Sequence, residues 1–194
     1  MKELILGSSS PRRHQILSKF TLPFTIASPP FDEEKVEFKG DPVAYVHTLS
    51  KGKGESLLHK YPHNPILTAD TVVYYNNKVF NKPVNFEHAV EILSELTGKQ
   101  HWVFTGVHLQ RGADSWFKAE ESKVYFNPLN LEEIKHYLTH MHWQDKAGGY
   151  SIEAAGGLLV NKIEGCYNNI VGLPVNATHQ LLLNVGIDLW RYIR

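Results

Sequence analysis

The chain has 194 residues, 42% of them hydrophobic, enough to bury a substantial core, and a single domain over residues 1–194 is expected. Twenty Lys and Arg balance twenty Asp and Glu, which excludes the global basic field behind nonspecific nucleic-acid or acidic-membrane binding, so any anion site must be local. One cysteine excludes an intrachain disulfide, no apolar run nears the ~20 residues that span a bilayer, and Met-Lys-Glu leaves no room for a signal peptide, so a cytoplasmic protein is expected.

Leu4–Leu6 reads as a short strand that runs through small residues into a helix. Ser10 suits the N-cap and Pro11 the first helical position, where a missing N–H goes unnoticed. Arg12 and Arg13 fall in the first turn, where positive charge opposes the helix dipole; an anion shared by guanidinium and backbone N–H groups would resolve that conflict. A capped helix with two solvated arginines is the plainer alternative. Pro23–Phe31 is extended and punctuated by prolines, and the acidic cluster Asp32-Glu33-Glu34 follows. Asp41-Pro42 opens a second helix with Val43, Val46 and Leu49 at helical spacing and Lys51 and Lys53 toward its far end. Pro65–Val73 is a β-prone run, and Asn76-Asn77 turns it into a hairpin with Val79-Phe80. Asn85 starts a helix carrying Ala89, Val90, Ile92, Leu93 and Leu96, which Thr97-Gly98 ends. Strand pattern returns over His101–Leu109 and within Trp116–Phe126. Asn130 and Glu133 form a capping box for a helix to Leu138, and a last helix fits Ala177–Leu183. Strands and helices intermix with at least one hairpin, which predicts an α/β fold around a mixed sheet.

Asp70 interrupts the apolar run Ile-Leu-Thr-Ala-Asp-Thr-Val-Val-Tyr, so it must face a site or find a buried partner. A carboxylate there can serve as metal ligand or general base; a turn or capping aspartate is the alternative. Lys82-Pro83 follows the hairpin and can return a lysine toward Asp70. The stretch from Asp145 through Lys146, Gly148, Gly149, Tyr150 and Glu153 to Gly156-Gly157, with Asn168–Pro174 beyond it, is rich in glycines and polar groups. It reads as a ligand-approaching loop or as a long irregular connection. His136 and His140 have helical spacing, but Tyr137 stands where a zinc-protease motif needs Glu. Cys166 as a nucleophile would need a base that the sequence does not identify.

Taken in order, Ser-Pro-Arg-Arg within Ser8–Arg13, Lys53, Ala69-Asp70-Thr71, Asn81-Lys82-Pro83, Asp145-Lys146-Ala147-Gly148 and Val171-Gly172-Leu173-Pro174 resemble the Maf family of nucleoside triphosphate pyrophosphatases. The resemblance runs from Leu4 nearly to the C-terminus. It implies an elongated α/β fold, a mixed β-sheet with flanking helices related to inosine triphosphate pyrophosphatase, with the substrate in a cleft between two lobes. It also implies hydrolysis of a nucleoside triphosphate to monophosphate and pyrophosphate with a divalent cation, Mg²⁺ or Mn²⁺, in a family whose members are often homodimers. Carried over by position, Asp70 is the catalytic proton acceptor, Ser8, Arg13, Lys53, Lys82 and Lys146 hold the substrate, and Glu33 joins Asp70 on the metal.

Arg12 and Thr71 resemble the branch of that family acting on dTTP and UTP, whereas the branch acting on 7-methyl-GTP carries Trp at the position of Arg12. Glu153 departs from the dTTP/UTP pattern, which has Gln there. An ionised Glu only accepts hydrogen bonds, so a base presenting an amino donor, as in CTP, is the alternative substrate. A nucleotide-binding regulator of division without catalysis is the competing class, and neither nucleic acid nor membrane is an expected partner.

Overall fold

Residues 2–193 are described by a computed structural model. The buried run Leu4–Gly7 forms β1, which pairs in parallel with β2 (Phe24–Ala27) on one side and with β3 (Ile66–Tyr75) on the other. The remaining pairings are antiparallel: β4 (Lys78–Phe80) and β5 (Gln100–Arg111) on β3, then β6 (Asp114–Phe126) and β7 (Val160–Gly165). The result is a seven-stranded mixed sheet in the order β2-β1-β3-β5-β6-β7, with β4 beside β3. The expected mixed α/β fold with flanking helices is borne out.

Local chemistry accounts for several boundaries. Asp41 Oδ1 accepts from the Val43 and Ala44 N–H groups at 2.8 and 3.1 Å, starting α2 (Pro42–Leu57). Asn85 likewise accepts from His88 at the start of α3 (Phe86–Leu96), and Asn130 with Glu133 closes a reciprocal capping box on α4 (Leu131–His140). Asn76 and Asn77 adopt φ of 49° and 60°, the left-handed pair that a two-residue hairpin requires. At α1 (Pro11–Leu17) Ser10 takes the capping position but makes no side-chain cap; its own N–H donates to Ser8 Oγ at 3.2 Å. The glycine-rich stretch hides two elements that the sequence pattern does not predict, β7 and α5 (Tyr167–Val171). The last helix, α6 (Val175–Leu182), begins directly after Pro174, two residues earlier than expected.

Strand side chains alternate between faces, so Leu67, Ala69, Thr71 and Val73 share one face of β3. On that face Leu67 and Ala69 join a cluster with Leu4, Leu6, Ile16, Leu17, Leu181 and Leu182, while Val73 joins another with Ile92, Leu93, Ile134 and Leu138. Thr71 lies between the two. The opposite face is covered by α2, whose Val46 and Leu49 pack on Val72 and Phe104. Gly106 permits that close approach, because a Cβ there would stand 2.8 Å from the Val46 carbonyl oxygen. Among the described residues no helix is long and apolar enough to cross a membrane.

Candidate active site

The pairing of β3 contains a gap on one edge. β1 leaves the sheet at Gly7, opposite Thr68, and β4 joins only at Val73, so among the described residues Ala69–Val72 have no strand beside them there. Asp70 lies in this gap, and its side chain projects from the sheet face that α2 covers, where a buried acid needs a partner. It is 5% exposed, and its Oδ1 accepts a hydrogen bond from Lys53 Nζ of α2. Lys53 also pairs with Glu33 at 3.0 Å, carried by the single helical turn Glu33–Lys35. Removing any of these charges from water alone would be costly; the one ammonium offsets part of the charge of the two carboxylates. Burial by itself would raise the Glu33 carboxyl, but the ammonium groups of Lys53 and Lys82, the Lys53 hydrogen bond and Arg13 hold it below its ordinary value of 4.5.

Arg13 approaches from the other face of the sheet. Its Nε donates to the Gly172 carbonyl at 2.7 Å, Nη1 to Ser8 Oγ at 3.4 Å and Nη2 to Thr71 Oγ1 at 3.1 Å. Burial lowers its pKa from an ordinary value so high that the group stays cationic, and the nearby Asp70 charge opposes the shift. Arg12 turns instead to Asp145, donating from Nη1 to its carboxylate at 2.8 Å. Lys146 Nζ reaches the same carboxylate at 2.8 Å. Burial would raise the Asp145 carboxyl, yet hydrogen bonds and charge from Lys146 and Arg12 keep it below the ordinary value of 3.8.

The segment behind Lys146 reaches the strands because it has no side chains in the way. Gly148 and Gly149 have φ of 70° and 72°, and added Cβ atoms would stand 2.8 Å from Val73 Cγ2 and 3.0 Å from Pro83 Cγ. Tyr150 then anchors it, its hydroxyl 2.7 Å from the buried His101 Nε2. Glu153 follows in extended backbone; its N–H donates to Ser151 Oγ at 3.1 Å, and its carboxylate has no protein partner among the described residues.

These parts enclose a cleft of about 900 Å³. All ten residues singled out from the sequence line it: Ser8, Arg12, Arg13, Glu33, Lys53, Asp70, Thr71, Lys82, Lys146 and Glu153. Lys82 is exposed at the cleft and has no ion pair among the described residues. Cys166 does not line the cleft, and His140 Nδ1 lies 2.8 Å from the His136 carbonyl oxygen. Asp145 carries more of the geometry than its sequence setting indicated, because its partner Arg12 is 133 residues away.

Among the described residues no group of three or more His, Cys, Asp or Glu could by itself hold a metal ion. Glu33 and Asp70 nevertheless converge on one positive charge, the Lys53 ammonium. Two convergent carboxylates fit a Mg²⁺-type ion that completes its shell with waters and phosphate oxygens, a common arrangement in phosphoryl-transfer sites.

A family model described as Maf-like protein matches residues 3–185. The chain belongs to the Maf family. Its resemblance is equally clear against individual members. The dTTP/UTP pyrophosphatase of Chlamydia felis is 45% identical over 192 residues, covering 98% of both chains. That of Clostridium tetani is 40% identical over 189 residues, 95% of this chain and 98% of its own. The nucleoside triphosphate pyrophosphatase of Chlamydia muridarum is 38% identical over 192 residues, again 98% of both. The solved structure of the Staphylococcus aureus Ham1 protein is 11% identical with a TM-score of 0.48, over 99% of this Maf chain and 94% of that one.

Proposed function

We propose that this Maf protein hydrolyses dTTP and UTP to the monophosphate and pyrophosphate. The observation that carries the reading is the gap in β3: a carboxylate, Asp70, stands on an open strand edge with Lys53 arriving from one sheet face and Arg13 from the other. The names of the Chlamydia felis and Clostridium tetani relatives favour thymine and uracil as the bases.

In this reading Arg13, Lys53 and Lys82 hold the phosphates, and Ser8 and Lys146 contribute further donors. Lys53 exchanges its carboxylate partners for phosphate oxygens as the nucleotide enters. Asp70 then orients a water on the open edge and takes its proton as the oxygen attacks the α-phosphorus. Positioning and charge neutralisation supply most of the rate in such reactions. Asp70 and Glu33 would hold a bound Mg²⁺ or Mn²⁺, which would supply positive charge to offset that of the triphosphate. Arg12, Thr71 and Glu153 stand at the cleft wall where base choice would be made.

The test is a panel of dTTP, UTP, CTP and 7-methyl-GTP with Mg²⁺, with Mn²⁺ and with chelator, scored for monophosphate and pyrophosphate. Metal-dependent turnover led by dTTP and UTP is expected. Tight nucleotide binding without turnover would identify a sensor instead, and turnover led by CTP would overturn the base assignment.

A further inference from the structure

Thr71 of β3 and Thr105 of β5 stand opposite one another in the sheet. They occupy the seam between the two hydrophobic clusters: Val107 and Leu109 belong to one, Val73 and Val103 to the other. Thr105 is fully buried, so its hydroxyl needs partners.

Chemistry fixes the direction of each bond in the resulting chain. The Asn169 carbonyl can only accept, so Thr105 Oγ1 donates to it, at 2.9 Å. Its proton spent, Thr105 accepts from Thr71 Oγ1, also at 2.9 Å. Thr71 therefore turns a lone pair, and not its proton, toward Arg13 Nη2 at 3.1 Å. A guanidinium only donates, so this is the one polarity the chain can take.

The end of α5 supplies both fixed acceptors. Gly172 has φ of 116°, and the Gly172 and Leu173 N–H groups both donate to the Asn168 carbonyl. That leaves the Asn169 carbonyl for Thr105 and the Gly172 carbonyl for Arg13 Nε. The negative end of a helix thus meets the guanidinium twice, once directly and once through two hydroxyls. Asn169 is itself held, donating from Nδ2 to the Val103 carbonyl and to Ser122 Oγ, both at 2.9 Å.

We propose that Thr105 is a positioning residue for Arg13: by fixing the direction of the Thr71 hydroxyl, it holds the guanidinium so that its unspent N–H groups face the cleft and take a phosphate of the nucleotide. The inference rests on the reading of Arg13 as a phosphate ligand. Thr105→Val keeps the shape and removes both hydrogen-bonding roles, whereas Thr105→Ser keeps them.

On the full chain, KM and kcat for dTTP are measured together with the Arg13 guanidinium N–H resonances of nucleotide-free protein. Thr105→Val is expected to raise KM about 3- to 10-fold, the worth of one buried hydrogen bond, with little change in kcat, and to broaden the Arg13 resonances. Thr105→Ser restores both. A folded Thr105→Val with wild-type KM and resonances, or a Ser variant as impaired as Val, overturns the proposal. If Thr105→Val does not fold, Thr71→Val breaks the same chain and must reproduce the broadening; wild-type Arg13 signals in that variant overturn it equally. If the wild type hydrolyses no nucleotide, the functional reading fails by itself, and the resonances alone decide the positioning claim: broadened supports it, unchanged overturns it.

Discussion

The Arg12 guanidinium donates to the Asp145 carboxylate at 2.8 Å and to the Asp145 carbonyl at 3.2 Å, tying the start of α1 to the segment that carries Lys146. One half-buried carboxylate thereby directs two cations at the cleft, since Lys146 Nζ shares it. Asp145→Asn is expected to raise KM for dTTP about 3- to 10-fold by loosening both, the scale of charge-assisted hydrogen bonds that remain partly solvated. Steady-state kinetics at two ionic strengths checks this. A lower KM would mean that removing negative charge near a polyanion outweighs the loss of orientation.

Lys53 fills the position between Asp70 and Glu33 with its own positive charge. Lys53→Met should therefore increase Mn²⁺ affinity of the nucleotide-free protein by about tenfold or more, because the ion no longer competes with an ammonium group. Turnover should fall in the same variant. Titration calorimetry with Mn²⁺ alone checks the first part, and equal or weaker binding than wild type contradicts it.

Features with a local cause are legible in the sequence, and features made by the pairing of distant residues are not. Asp41, Asn85 and Asn130 announce their helices because each caps within three residues of itself, and Asn76-Asn77 announces the hairpin because few other pairs tolerate its dihedrals. Asp70 is conspicuous because an acid in an apolar strand needs a partner, although that partner, Lys53, and the edge left open between β1 and β4 are set by tertiary structure. Val160–Gly165 gave no alternating pattern because this edge strand is largely exposed on both faces. The short α5 was masked by polar asparagines, one of which, Asn169, is buried for its hydrogen bonds. The Arg12–Asp145 and Thr71–Thr105 pairings join distant residues, and no local periodicity encodes them.

Two buried imidazoles set an acid limit on stability. Burial lowers His101 from 6.5 to about 3 and His108 to about 4, with His47 and Lys51 adding to the second shift. The unfolded chain therefore binds more protons than the folded one below pH 6.5. The stability these groups contribute is complete above that value and is lost as pH falls toward 4 and 3. Both His108 ring nitrogens lack partners among the described residues, so His108→Leu should cost little at pH 7. Denaturant unfolding between pH 7 and 5 should show a slope shallower by up to about 1.4 kcal/mol per pH unit in that variant. An unchanged slope would contradict the assignment.

Glu153 presents a carboxylate without a protein partner at the cleft wall. An ionised Glu cannot donate to the carbonyl of a thymine or uracil edge, whereas Gln can both donate and accept. Glu153→Gln is expected to raise kcat/KM for dTTP and UTP relative to CTP, by up to about tenfold if the mismatch is direct and by less if a water already bridges it. A uniform improvement for all nucleotides would indicate charge alone, and an unchanged ranking would remove Glu153 from base recognition.

If Asp70 activates a water that attacks the α-phosphorus, the oxygen of that water ends up in the monophosphate. Hydrolysis of dTTP in water enriched in heavy oxygen, followed by mass analysis of both products, should place the label in thymidine monophosphate and leave pyrophosphate unlabelled. Asp70→Asn should slow that labelling by roughly 10²–10⁴-fold while remaining folded, the usual cost of losing a general base. Label in the pyrophosphate, or a folded Asp70→Asn protein that labels the monophosphate at the wild-type rate, would contradict the account.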